Sequence, residues 1–206
     1  MTASPFNIGH KCATKQLEHV HSDLCRELEH LSLGGNRFFA TLIDDMSGMI
    51  WIHPLKHKGD FVDWFIKMDS TFANQYGRHI GILWANNGGE YTNQCLQDYC
   101  DHHGILLEYT IPHTPQQNGV TERANQTLTK RMRVMMKDMD CPTALWGEAV
   151  CTAAYCLNCI PTSANGGITL IQAFDGTTPD ISVMTLVNHL TMWPFHMYIY
   201  LRGWEN

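Results

Sequence analysis

The chain has 206 residues, 44% of them hydrophobic and 17% charged, which excludes a disordered polymer and leaves room for one domain with a real core, not two. Its formal net charge is −6, from 14 Lys and Arg against 20 Asp and Glu, so any contact with nucleic acid must come from a local basic patch rather than the whole surface. No apolar run is long enough to span a membrane, and the opening MTASPFNIGHKC lacks the apolar stretch of a secretion signal, so the expected location is the nucleus or cytoplasm, with the eight Cys reduced.

Residues 17–24, LEHVHSDL, alternate apolar and polar and read as a first strand. A turn at Gly34-Gly35-Asn36 leads to strands over 37–45 and 49–55, joined by a hairpin at Ser47-Gly48. Pro54 places the third of these at a sheet edge or ends it. From Asp60 to Tyr76 the period changes: Phe61, Trp64, Phe65, Met68 and Phe72 recur at three and four, an amphipathic helix stopped by Gly77. A short strand over 80–85 ends in Asn86-Asn87-Gly88-Gly89. A helix over 93–103, a strand over 104–111 and a loop from Pro112 to Gly119 follow. Two further helices are predicted, at about 119–139 and 143–158. Three antiparallel strands followed by strand–helix alternation predict an α/β fold, a five-stranded mixed sheet flanked by helices. That element order is the ribonuclease H-like one. The expected organisation is an N-terminal segment over 1–16, the core over 17–160, and a C-terminal appendage over 161–206 without clear period.

Three positions stand where such a sheet converges: Asp23 at the end of the first strand, Asn86 at the end of the fourth, and Glu122 at the start of the long helix. Phosphodiester chemistry with divalent ions needs anionic oxygens at one point, because Mg²⁺ is hard and prefers them. By default each of these acids is a solvated surface charge, so spacing alone does not assign them. Cys156 and Cys159 form a single CxxC with no partner pair, too little for a structural zinc set.

The segments themselves carry more. HSDLC at 21–25, TLIDDMSG at 41–48, NNGGEY at 86–91, HTPQQNGVTERANQTL at 113–128, LWGEAVCTAAYCLN at 145–158 and GTTPDIS at 176–182 together resemble the integrase catalytic core of copia-type retrotransposons, a ribonuclease H-like family. HLTMWPFHMYIY at 189–200 looks like a worn version of that family's closing segment. The resemblance runs over most of 12–200, and HTPQQNGVTER followed by a long helix is its most specific part. It implies metal-dependent DNA strand transfer, with Asp23 and Glu122 matching two catalytic, metal-binding carboxylates and Mg²⁺ or Mn²⁺ as cofactor. It also implies DNA as partner and self-association into a homo-oligomer. Asp23 matches the first of the family's three catalytic positions and Glu122 the third; at the second the family has Asp and this chain has Asn86. A neutral amide cannot bridge two cations as an anion, so metal binding is expected to be weak or absent and strand transfer impaired. Trp84, Ala85 and Arg26 also depart from the family pattern, and only His10 and Cys12 remain of its zinc-binding segment.

The long helix adds a second kind of site. Glu122, Gln126, Lys130, Arg133 and Lys137 fall on one face; Val120, Ala124, Leu128, Met132, Met135 and Met139 fall on the other. Lys130, Arg133 and Lys137 are candidate DNA-backbone contacts, against the plain alternative of a solvated face. Gln116, Gln117 and Asn118 in the preceding loop are candidate DNA contacts through their amides. Three functions stay open: an impaired integrase core that still binds DNA, an active one that tolerates Asn86 or recruits Glu90, and a domesticated binding domain without chemistry.

Overall fold

The computed structural model describes residues 13–110 and 119–179. Five strands form one sheet: β1 (His19–Leu24), β2 (Phe38–Asp44), β3 (Ile50–Leu55), β4 (Ile82–Ala85) and β5 (Leu106–Tyr109). Their order is β3-β2-β1-β4-β5. The first three pair antiparallel, while β4 and β5 run parallel to β1. This is the expected mixed sheet, and β3 with Pro54 is an edge, where a missing N–H costs least.

Helices cover both faces. Helices α1 (Phe61–Tyr76) and α2 (Gln94–His103) lie on one, and α3 (Gly119–Asp138) and α4 (Trp146–Asn158) on the other. The period-three-and-four stripe of α1 buries Phe61, Trp64, Phe65 and Phe72 against Val20, Leu42 and Leu83 of the sheet. Fully burying each such side chain is worth about 1.5–3 kcal/mol. On the opposite face Phe39, Ile43 and Ile50 meet Leu128, Met132, Trp146 and Val150. Strand alternation serves both faces at once: Phe39 and Ile43 point to one core, Ala40 and Leu42 to the other.

One glycine is required by close approach. Gly81 opens β4 beside the turn before β1, and a Cβ there would lie 2.8 Å from the carbonyl oxygen of Glu18. Asp44 and Asp45 lie at the far end of β1 from Asp23: Val20 pairs with Asp44 and Asp23 with Thr41. Buried Asp44 accepts from the Leu17 N–H at 2.7 Å and from the N–H and hydroxyl of Ser47, so it ties the hairpin to the start of β1. Its role is structural.

The apolar stripe expected on α3 is corrected. The buried residues are Thr121, Asn125, Leu128 and Met132, while Val120 and Met139 are exposed at 37% and 42%. Ala124 and Met135 are half-buried at the margin of the core. The helix is turned so that two polar side chains of its first turns face the end of β1, which an apolar count could not register. Beyond 160, a short α5 (Leu170–Asp175) that no periodicity announced begins at the side-chain cap of Thr169. Its Phe174 is 3% exposed and packs edge-on against Trp51 and Tyr76, with ring centroids 5.0 and 5.3 Å apart. Residues 161–176, at the start of the expected appendage, thus pack on the core. The closing segment 189–200 lies outside the described residues.

The edge of β3 is sealed by a side chain. Asn158, last in α4, accepts from the Ile50 N–H at 3.0 Å and donates to the Ile50 carbonyl at 2.7 Å, as a neighbouring strand would. Asn158→Ala should destabilise the fold by about 2–4 kcal/mol, since it strands two buried backbone groups; urea unfolding measures it. A chain ended at residue 182 should melt like the parent, whereas one ended at 160 loses Phe174 and should melt several degrees lower.

Candidate active site

Parallel pairing sets the site. His21 is opposite Trp84 in the β1–β4 ladder, so two residues further on Asp23 and Asn86 leave the sheet side by side at the strands' carboxyl ends. Such ends, flanked by helices, are where open α/β sheets build their sites. Helix α3 crosses above β1 and brings Asn125 down onto the same carboxylate.

Asp23 is 9% exposed. Its Oδ1 accepts from Asn86 Nδ2 at 2.9 Å and its Oδ2 from Asn125 Nδ2 at 3.0 Å. Thr41, opposite Asp23 on β2, donates its hydroxyl toward Asn125 Oδ1 and the Asp23 carbonyl, both at 3.2 Å. Burial pushes the Asp23 carboxyl up to about 6; the hydrogen bond from Asn125 opposes this, and the negative charges of Glu122 and Glu90 add to it. Desolvation disfavours a charged carboxylate, and like charges nearby do the same. Asp23 and Asn86 are thus in direct contact, and Glu122, exposed in the first turn of α3, is near enough for its charge to act on Asp23.

The loop after β4 is rigidly held. Asn86 Oδ1 accepts the Gly88 N–H at 2.8 Å. The Gly88 carbonyl accepts from the N–H groups of Tyr91 and Thr92 at 3.0 and 3.2 Å. A Cβ at Gly88 would lie 2.6 Å from Glu90 Oε1 and 2.8 Å from Asn86 Oδ1, so a side chain there would displace the Glu90 carboxylate and press on the Asn86 amide. Tyr91 is fully buried, its hydroxyl 2.9 Å from that of Ser22 and its ring edge-on to Phe61. An aromatic anchor thus fixes the loop that carries Asn86.

As they stand, these residues do not fit a pair of divalent ions. Asn86 turns an N–H, not an oxygen, toward the centre, and both Asp23 oxygens already accept amide N–H groups. Among the described residues no three His, Cys, Asp or Glu side chains converge as a metal set.

Of the predicted DNA contacts, Lys130, Arg133 and Lys137 are exposed along α3 with Gln126 and Glu122. Gln116, Gln117 and Asn118 lie outside the described residues. Asn125 and Tyr91 are site residues that sequence reasoning missed. Their signal was available: a polar Asn one turn after Glu122 on a face that meets the sheet, and the Tyr that closes NNGGEY.

Residues 13–115 match the family described as Integrase core domain. The chain is 42% identical over 146 residues to the retrovirus-related Pol polyprotein from transposon TNT 1-94 of Nicotiana tabacum, covering 71% of this chain and 11% of that protein. It is 32% identical over 158 residues to the corresponding polyprotein from transposon RE2 of Arabidopsis thaliana, covering 77% and 11%. The chain thus spans only about a tenth of the relatives' length. In structure it is similar to a chain of the simian T-cell lymphotropic virus intasome in complex with PP2A regulatory subunit B56 gamma (TM-score 0.64, 16% identity, 82% of this chain and 59% of that one). It is also similar to the HTLV-2 integrase catalytic core domain in complex with magnesium, in a trimeric form (TM-score 0.59, 16% identity, 78% and 97%). The structural likeness carries the ribonuclease H-like fold and the sequence likeness carries descent: the chain belongs to the integrase core domain family and is similar to part of the Pol polyproteins of plant retrotransposons.

Proposed function

We propose that this chain is a DNA-binding integrase core whose strand-transfer chemistry is impaired at Asn86, with Asp23 and Glu122 as the remaining catalytic positions. The observation that carries the reading is the N–H of Asn86 donated to Asp23 at 2.9 Å, where the copia-type pattern has an acid. A carboxylate set that has lost one charge, and has a donor facing the second acid, cannot draw Mg²⁺ or Mn²⁺ strongly, so metal binding is weak or absent.

What the chain's own residues do is hold and orient DNA. Lys130, Arg133 and Lys137 lie on the exposed face of α3 that also carries Glu122, so a backbone tracked along this strip would lead to the Asp23 end of the sheet. The loop amides Gln116, Gln117 and Asn118 precede the same helix and would complete the contact. Oligomerisation is proposed from the trimeric and intasome assemblies named for the structural neighbours. Nuclear or cytoplasmic work on DNA suits a chain in which no described helix is long and apolar enough to cross a membrane. The donor orientation of Asn86 also favours a second reading, a domain reused for binding alone. Its discriminator is a cleavage assay run beside a binding assay.

In a Mn²⁺-supported strand-cleavage and strand-transfer assay, the parent should be at or near background and Asn86→Asp should gain about tenfold or more. No gain would mean that position 86 is not what limits the chemistry. Replacing Lys130, Arg133 and Lys137 together by Ala should weaken duplex binding at low salt. It should also flatten the log Kd against log salt slope by up to about 0.9 per lost phosphate contact. Unchanged binding across salt would return the strip to an ordinary solvated face.

A further inference from the structure

The orientation of the Asn86 amide is fixed by chemistry. Its oxygen faces the Gly88 N–H at 2.8 Å, and a backbone N–H can only donate. The amide nitrogen must then face Asp23 Oδ1, where it sits at 2.9 Å. Rotating the amide by half a turn would set N–H against N–H and oxygen against carboxylate oxygen. On the other side of Asp23, Asn125 Nδ2 occupies Oδ2 at 3.0 Å. The buried carboxylate is therefore held between two donors, with Glu90 and Glu122 close enough to add negative charge.

We propose that the Asn86 amide stands in for the positive charge that an acid at this position would require, so that the site of this chain is structurally complete without a divalent ion. With Asp at position 86, one oxygen would keep the Gly88 N–H. The other would face Asp23 Oδ1 across the same short separation, now without a proton between them. Two carboxylates that close cannot both stay ionised without a cation or a shared proton. The amide N–H removes the conflict, so Asp23 is held in the folded chain without a cation to offset a second charge. Asn86 is a positioning residue in this scheme: it orients Asp23 and touches no reacting group. The inference concerns the folding of the free chain. Its test uses no DNA, so it fails or stands separately from the strand-transfer reading.

The test compares thermal melts of the full parent chain, Asn86→Asp and Asn86→Ala, at about pH 8 where carboxylates are ionised, in EDTA and then with Mn²⁺ in excess. The parent should melt within about 1 °C in both. Asn86→Asp should melt about 5 °C or more lower in EDTA and recover most of that loss with Mn²⁺. Asn86→Ala, which removes the donor without adding charge, should fall by a smaller amount and gain nothing from Mn²⁺. A parent melt raised by Mn²⁺ as much as that of Asn86→Asp overturns the proposal, as does an Asn86→Asp melt in EDTA at or above the parent's. Should Asn86→Asp fail to fold in either condition, Asn86→Ala decides: a melt equal to the parent's shows that the amide holds nothing, and a lower one that ignores Mn²⁺ upholds the proposal.

Discussion

The arrangement at the sheet's carboxyl end depends on one buried carboxylate. Asp23 leaves β1 at 9% exposure, and the cost of that burial must be met by donors from elsewhere in the chain. Asn86 arrives 63 residues later from the loop after β4, and Asn125 arrives 102 residues later from α3. Asp23 therefore ties together three elements that neither hydrophobic core alone would hold in register. The cost is incomplete in its repayment, since the carboxyl is still pushed up to about 6 from an ordinary 3.8. A carboxyl raised in the folded state contributes stability that is full below its ordinary value and lost as pH rises through about 6. The ionised form at neutral pH is thus held against a folding cost, in the way sites hold strain elsewhere in proteins.

The two cores make that holding possible. One, built from Phe61, Phe65, Phe72 and Tyr91, fixes α1 and the loop after β4 against the sheet; the other, built from Phe39, Leu128, Met132 and Trp146, fixes α3. Asn86 and Asn125 come from opposite sides of this sandwich, so the amide pair closes on Asp23 only if both faces pack. Tyr91 links packing to the site directly, because its ring lies in the first core while its backbone belongs to the loop that positions Asn86. The Gly81–Glu18 approach does the same for β4, setting how far along β1 the fourth strand begins and therefore which residue emerges opposite Asp23.

Much of this was legible in the residues. Alternation located β1 to within two residues, and the spacing of Phe61, Trp64, Phe65, Met68 and Phe72, with the stop at Gly77, defined α1 to within one residue at its start and at its last residue. That Asp23 and Asn86 lie side by side was legible from their segments and from the rule that strand ends converge. The errors have a common cause. The count on α3 ranked residues by apolarity, so it put Val120 and Met139 inside and left Asn125 out, although Asn125 is buried and paired and Val120 is not. A polar residue buried because a distant carboxylate needs it has no local signature. Helix α5 was invisible for a related reason: six residues hold too few turns for a period, and Phe174 is buried by Trp51 and Tyr76, which lie about a hundred residues earlier.

The charge distribution sets how such a core could meet DNA. The whole chain carries −6, and a phosphate backbone approaching it at random is repelled. Helix α3 carries a basic excess, with Arg123, Lys130, Arg131, Arg133 and Lys137 against Glu122 and Asp138. Lys130, Arg133 and Lys137 share its outward face, whereas the buried face is committed to the second core and to Asp23. On the proposed reading a net negative charge would act as a guide: the favourable approach would run along α3, whose first turn lies near Asp23. Salt screens both the attraction and the repulsion over about 8–10 Å, so rising ionic strength removes orientation together with affinity. Any positioning of DNA at the Asp23 end would therefore depend on the acidic remainder of the chain as well as on the basic strip.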